Sequence, residues 1–181
     1  MQDREVLIGV CGGIAAYKTA ALVSQLVQAG AAVQVVMTAA AGKFIGPATF
    51  EALSGRRVPS RVLDEPGYPL GPHIELAERA ELLCVAPATA NFLGKAACGL
   101  ADDLLSTLYL SFSGKVLLAP AMNCDMWEKP AVQRNVATLR ADGVQLVGPE
   151  EGWLSCRKQG LGRMAAPETI FSEIEALLND S

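Results

Sequence analysis

The sequence predicts a single α/β domain built on a parallel sheet with helices on both faces. Three observations lead there. Short β-like runs alternate with helical patterns along the whole chain, the pattern of a sheet wrapped by its own crossover helices. A chain of 181 residues suits one domain, and at that size roughly 70% of the surface of the unfolded chain is buried without disulfides or metals. Finally, 51% of the residues are apolar, much of it alanine and valine, which suits strands covered on both faces or contacts between subunits.

Six strands are predicted, at residues 5–10, 33–37, 82–86, 115–119 and 144–147, with a weaker one at 58–62. The first helix, over 15–29, places Leu22, Val23, Leu26 and Val27 on one face, and Gly30 offers a left-handed stop. Pro47, Pro130 and Pro167 occupy first helical positions that lead into 48–53, 131–141 and 168–178. Asp102 reads as the cap of a further helix. The least regular stretch is 55–72, with four prolines and three glycines, equally a mobile loop over a site or a surface connection.

Composition excludes several classes of function. A net charge of −4 with no basic stripe argues against nucleic acid, Arg56-Arg57 being too short to count as one. Five cysteines without a CxxC spacing, and His73 as the only histidine, indicate neither a disulfide framework nor a metal site. No apolar run approaches bilayer-spanning length, and the amino terminus enters the first strand without the regions of a signal peptide. The expectation is a cytoplasmic protein with reduced thiols and no membrane partner.

Three strand ends carry candidate binding residues. After the first strand, Cys11-Gly12-Gly13-Ile14 is a glycine turn into a helix, able to hold an anion on free N–H groups. The second strand ends in Thr38-Ala39-Ala40-Ala41, where a dinucleotide site would place an acid for the ribose, so a mononucleotide phosphate is favoured over NAD. After 115–119 comes Pro120-Ala121-Met122-Asn123-Cys124-Asp125-Met126-Trp127, which brings the Asn123 amide to the carboxyl edge of the sheet.

Those eight residues resemble the PxMNxxMW signature of flavin-dependent cysteine decarboxylases at every specified position. Ala86-Pro87-Ala88-Thr89-Ala90-Asn91-Phe92 is similar to the same family's PASANT motif, with Thr89 for Ser and Phe92 for the last Thr. His73-Ile74-Glu75-Leu76 matches its HIEL segment, and residues 152–164 look like its substrate clamp, closing on Gly162-Arg163-Met164. Together the motifs span about 9–164. The resemblance implies a Rossmann-like, doubly wound six-stranded parallel sheet of order 3-2-1-4-5-6. It also implies an FMN site lined by Gly12, Gly13, Ile14, Thr38, Ala39, Ala40, Thr89, Ala90, Asn91, Phe92, Ser106 and Ala121, with Asn123, Met122, Met126 and Arg163 on the substrate.

In the chemistry so implied, hydride leaves the substrate cysteine Cβ for the flavin, the resulting thioaldehyde accepts the electrons released with CO2, and an ene-thiolate forms. His73 is the implied acid–base group, reaching the site of a neighbouring subunit, and Cys156 the proton donor that completes reduction. The expected substrate is 4′-phosphopantothenoylcysteine, converted to 4′-phosphopantetheine for coenzyme A, by a homo-oligomer that is a trimer or a multiple of trimers. Bacterial members are often fused to the phosphopantothenoylcysteine synthetase; a separately encoded synthetase, a removed domain and another substrate source all stay open. One departure stands out. Family members of the coenzyme A pathway commonly carry Gly and an acid after the clamp cysteine, whereas Arg157 and Lys158 follow here; they add two cations for an anionic substrate but put Arg where Gly is free to take a positive φ. Three rival readings remain. A peptidyl-cysteine decarboxylase stops at the ene-thiol and needs no Cys156; a non-catalytic FMN-binding regulatory subunit depends on extended arms; a flavin prenyltransferase would lack PxMNxxMW and the clamp.

Overall fold

Alternate side chains along the strands feed two separate cores, one on each face of the sheet. In the computed structural model, which describes residues 1–63 and 65–180, strands β1 (Glu5–Val10), β2 (Ala32–Met37), β3 (Leu82–Ala88), β4 (Lys115–Pro120) and β5 (Gln145–Leu146) lie in order 2-1-3-4-5, all parallel. Val6, Ile8 and Val10 point to one face with Val33, Val35, Leu82 and Cys84; Leu7, Val36, Leu83 and Val85 point to the other. The period of two in a strand makes this division, and burial on both faces is why the strands read as apolar runs.

Helices α1 (Ala16–Gln28), α2 (Pro47–Ser54) and α8 (Pro167–Asn179) cover the first face through Leu22, Leu26, Phe50, Ile170 and Ile174. The second is covered by α3 (Pro72–Arg79), α4 (Ala90–Cys98), α5 (Leu104–Ser111) and α7 (Pro130–Ala141), through Leu76, Leu93, Leu105, Leu108 and Leu139. Each fully buried leucine contributes about 2 kcal/mol of transfer free energy. Proline opens α2, α7 and α8 as the sequence predicts, and opens α3 as well.

The sheet departs from expectation at its edge. The weak strand at 58–62 does not form, so the six-stranded order 3-2-1-4-5-6 gives way to five strands; the remaining five keep their predicted neighbours. The physical reason lies in the donors. Pro59 has no N–H, the Val58 N–H donates to the Glu51 carboxylate at 3.0 Å, and those of Ser60 and Arg61 donate to the Glu65 carboxylate at 3.0 and 2.8 Å. A segment with most of its donors spent on carboxylates has few for a ladder. It is tethered to β2 instead by the Gln34 side chain, which donates to the Arg57 carbonyl at 2.8 Å.

Two further differences bear on the site. The cap of α5 is Asp103, not Asp102: the Asp103 carboxylate accepts the Ser106 N–H at 2.8 Å while the Ser106 hydroxyl accepts the Asp103 N–H at 3.1 Å. The clamp region contains an antiparallel hairpin, β6 (Glu150–Trp153) with β7 (Gln159–Arg163), alongside the short helix α6 (Cys124–Trp127).

Candidate active site

The carboxyl ends of β1 to β4 open onto one cavity of about 1030 Å³. It spans the boundary between β1 and β3, where the chain, having run outward to β2, crosses back over β1. Such switch points are where doubly wound sheets bind ligands, because the flanking loops diverge there.

Each wall is a loop that leaves a strand. After β1, the backbone N–H groups of Gly12, Gly13, Ile14 and Ala15 have no hydrogen-bond partner among the described residues. Glycine at 12 is sterically required, since a Cβ would lie 2.5 Å from the Ala40 Cβ and 2.7 Å from the Ala40 carbonyl carbon. Thr38, Ala39 and Ala40 therefore close down on the turn from the end of β2, with the Thr38 hydroxyl donating to the Val10 carbonyl at 3.4 Å. After β3, Thr89 caps α4 by accepting the Phe92 N–H at 3.4 Å, while the N–H groups of Ala90 and Asn91 have no partner among the described residues. Two sets of free N–H groups at helix starts, facing one cavity, suit a phosphate. The Phe92 ring is buried and meets Tyr109 edge-on with centroids 5.9 Å apart, so the residue that replaces the motif's hydroxyl serves the core.

The fourth wall brings together an amide and a thiol. Asn123 leaves β4 and caps α6; its Oδ1 accepts the Asp125 N–H at 2.7 Å, and its Nδ2 donates to the Cys156 sulfur at 3.4 Å. Cys156 sits on the exposed turn of the hairpin, closed by Leu154 N–H to Lys158 O at 2.8 Å and Arg157 N–H to Leu154 O at 2.9 Å. The hairpin is seated by the Met122 N–H, which donates to the Gly162 carbonyl at 3.0 Å. At Gly162, with φ +154°, a Cβ would run into the Met122 carbonyl. Arg157 adopts φ +63°, the left-handed conformation that the family's glycine would take freely. An L-residue there costs about 1 kcal/mol, and the turn keeps its form in spite of it.

Charge is arranged around this pocket. Lys158 pairs with Asp125 at 2.6 Å, and Arg163 with Glu150 at 3.1 Å. Lys18 lines the cavity and donates to the Met164 carbonyl at 3.2 Å; burial, then the charge of Arg163, holds its ammonium below the ordinary lysine value. At the other end, Lys95 pairs with Asp102 at 2.6 Å and Asp103 at 2.8 Å. Burial opposes the Asp103 charge, but Lys95 and the bonds from Ser106 bring its carboxyl net below the usual range. Burial pushes the Cys11 thiol up to about 12, so it stays neutral.

Of the residues singled out from sequence, Ala121, Met122, Met126 and Arg163 line the same cavity as the three loops, Asn123 and Cys156. Ser106 does not: it is 1% exposed and its hydroxyl is held in the Asp103 cap. His73 does not either. It lines a separate cavity of about 530 Å³ with Tyr68, Leu70 and Gly71, and its backbone carbonyl accepts the Ser111 hydroxyl at 3.0 Å at the carboxyl end of α5. Asp103, at the opposite end of that helix, is the end that meets the active cavity, so His73 lies about one eight-residue helix length away, roughly 12 Å. Its Nδ1 is buried without a hydrogen-bond partner among the described residues. Sequence reading missed Lys18, Lys95, Tyr17 and Trp153 as lining residues. Lys18 did leave a signal: it is a cation in the first turn of a helix, where the macrodipole disfavours one.

A fold of this order with an anion cradle at its switch point defines a class of cofactor-binding α/β proteins, and the chain belongs to the Flavoprotein family, whose profile matches residues 1–179. More particularly, it is similar to the coenzyme A biosynthesis bifunctional protein CoaBC of Bacillus subtilis (strain 168), at 48% identity over 175 residues, 97% of this chain and 43% of that protein. The CoaBC of Mycobacterium tuberculosis (strain ATCC 25618 / H37Rv) is 45% identical over 175 residues, 97% of this chain and 41% of that one. The chain thus spans less than half the length of these curated relatives. Among solved structures, a PPC decarboxylase mutant complexed with pantothenoylaminoethenethiol superposes with a TM-score of 0.89 at 29% identity, over 98% of this chain and 100% of the other. The FMN-dependent cysteine decarboxylase SpaF superposes with a TM-score of 0.84 at 38% identity, over 99% and 97%.

Proposed function

We propose that this chain is an FMN-dependent decarboxylase that converts 4′-phosphopantothenoylcysteine to 4′-phosphopantetheine in coenzyme A biosynthesis. The observation that carries the reading is the meeting of the Asn123 amide and the Cys156 thiol, 3.4 Å apart, above a phosphate cradle at the switch point. The likeness to CoaBC proteins and to a PPC decarboxylase supports it. Five free thiols suit a cytoplasmic setting.

The cradle fits FMN: Gly12, Gly13, Ile14, Ala90 and Asn91 would hold the phosphate on backbone N–H groups, and the small side chains of Ala39, Ala40 and Ala121 leave room for a ring system. When bound, FMN supplies reversible two-electron oxidation of the substrate cysteine, the electron sink that loss of CO2 requires. Asn123 orients the substrate carboxylate. Its Oδ1 is fixed by Asp125, so Nδ2 faces the cavity, with one N–H toward Cys156 and the second for a carboxylate oxygen. Lys18 and Arg163 provide cations for the substrate's own phosphate. Cys156, on the hairpin turn, donates the proton to the ene-thiolate carbon and completes reduction.

His73 is proposed to act in the cavity of a neighbouring copy, within a trimer or a multiple of trimers. Two exposed apolar patches support this: Ile14 and Tyr17 at the mouth of the active cavity, and Leu70, Ile74 and Leu110 around His73. Two different patches that cover each other form a heterologous contact, the type that builds a ring when the rotation between neighbours closes. The synthetase that forms the substrate, fused in the bifunctional relatives, is the expected functional partner.

Mass spectrometry of the product after anaerobic incubation with phosphopantothenoylcysteine tests the function. The expected product is the saturated amine thiol; an ene-thiol would replace the reading by a peptidyl-type decarboxylase, and no reaction would remove the catalytic assignment.

A further inference from the structure

The PxMNxxMW segment of this chain carries a cysteine at an unspecified position, and the fold brings it against the clamp. Cys124 opens α6 and is half-buried; Cys156 is exposed on the hairpin turn, and both are free thiols. Gly160 on β7 faces Cys124 so closely that a Cβ added there would lie 3.1 Å from the Cys124 Cβ and 3.4 Å from its sulfur. The Cys156 sulfur rests 3.4 Å from the amide nitrogen of Asn123, the residue next to Cys124 in sequence. Lys158 clasps Asp125 at 2.6 Å across the same gap, and its ammonium is favoured first by Asp125 and then by both thiols, Cys124 and Cys156.

We propose that Cys124 and Cys156 are a redox pair that peroxide joins in a disulfide, locking the hairpin to α6 and taking the Cys156 thiol out of use. The sulfurs need to approach to about 2 Å, with Cα atoms roughly 5–6 Å apart. The part that moves is the exposed turn at 154–158, held by two backbone hydrogen bonds of its own, while β7 stays seated on Met122. In the first step the Cys156 thiolate attacks hydrogen peroxide: an S–O bond forms, the O–O bond breaks, and hydroxide leaves to become water. Cys156 is then a sulfenic acid. The Cys124 sulfur attacks it, an S–S bond forms, the S–O bond breaks, and a second water leaves with the Cys124 proton. Two thiols are oxidised and one peroxide is reduced to two waters. Capture by Cys124 outruns further oxidation of Cys156 to the sulfinic acid, which a thiol cannot reverse. The other cysteines do not serve. Cys11 and Cys84 are buried at 1% and 0% exposure, and Cys98 is on α4, away from the clamp.

The effect on turnover rests on the decarboxylase reading, whereas formation of the disulfide does not, so two readouts are taken. The flavin-loaded protein is treated with hydrogen peroxide, alkylated and digested without reductant. The expected result is a cross-linked pair of peptides, one holding Cys124 and the other Cys156, lighter by two hydrogens than their sum and separated by dithiothreitol. Turnover falls in parallel and dithiothreitol restores it. Cys124→Ser should keep its basal turnover, because Cys124 does not line the active cavity, yet lose turnover to peroxide in a form that dithiothreitol no longer restores. Cys98→Ser should respond as the parent does. Absence of the cross-linked pair overturns the proposal, and so does full recovery of the Cys124→Ser variant. If the protein has no decarboxylase activity, the peptide result still decides whether the pair forms.

Discussion

At the residue scale, Asn123 does two jobs with one amide. Its oxygen is spent on capping α6, which leaves the NH2 group for the proposed substrate contact and fixes which way it points. Cys156 takes its position from that amide and from a turn in which Arg157 tolerates a left-handed backbone. Because Cys156 is assigned only the last proton transfer, Cys156→Ser should still release CO2 from the substrate and bleach the flavin. Saturated product should fall by about 100-fold or more, the usual contribution of a positioned acid. An ene-thiol lighter by two hydrogens should accumulate, read by mass spectrometry; saturated product at the parental rate would move the proton donor elsewhere.

At the scale of elements, the segment after α2 shows how side chains replace a strand. Besides its bonds to the Glu51 and Glu65 carboxylates, an ion pair pins it to the start of β1: Arg56 donates to both Glu5 oxygens, at 2.7 and 2.9 Å, with Arg79 at 3.5 Å. The hydrogen bond from Arg56 is the largest influence on Glu5 and, against the opposing effect of burial, holds its carboxyl below the ordinary 4.5. A depressed carboxylate stabilises the fold at pH above its unfolded value, and that stabilisation is lost as pH falls through the lower folded value. Glu5→Gln should therefore cost about 1 kcal/mol at pH 7, given the partial exposure of both partners. The gap between variant and parent should narrow as pH falls below about 4.5 and close once the pH lies below the lowered folded value. Urea unfolding of both proteins at neutral and at falling acidic pH measures it, and a gap independent of pH would mean that the pair contributes packing and not charge.

At the scale of the whole molecule, the reversal of strand order between β1 and β3 gathers loops from four strands around one cavity and leaves His73 at the far end of α5. If His73 serves a neighbour's cavity, the defects of His73→Asn and Asn123→Asp are on different subunits of each site. Mixing the two inactive variants under conditions of subunit exchange should restore up to about one quarter of parental activity, because random assembly pairs an intact His73 with an intact Asn123 at that frequency. Each variant alone should keep its flavin. No recovery in mixed oligomers, verified by mass, would place His73 and Asn123 in the same chain's site or outside it.

Much of this was legible in the chain itself. Apolar runs of strand length, helices opened by proline, the glycine turn after β1 and the polar Asn123 after β4 are local signals, set by backbone conformation and side-chain period, and they put the cradle and the amide at the correct strand ends. The hairpin that carries Cys156 was marked in the chain only by the likeness of 152–164 to a family clamp. Tertiary structure alone decided the rest. Whether 58–62 joined the sheet depended on which groups took its N–H donors, and the carboxylates of Glu51 and Glu65 stand several residues away in the chain. Ser106 carries a hydroxyl near a motif, yet a cap one residue later than the sequence suggested took that hydroxyl for Asp103. His73 and Cys156 belong to motifs of equal clarity, but only packing of α3 against the carboxyl end of α5 separates the imidazole from the cavity its own chain encloses. Local pattern specifies what a segment becomes; which donors, cavities and thiols end up facing one another is set by contacts between segments far apart in sequence.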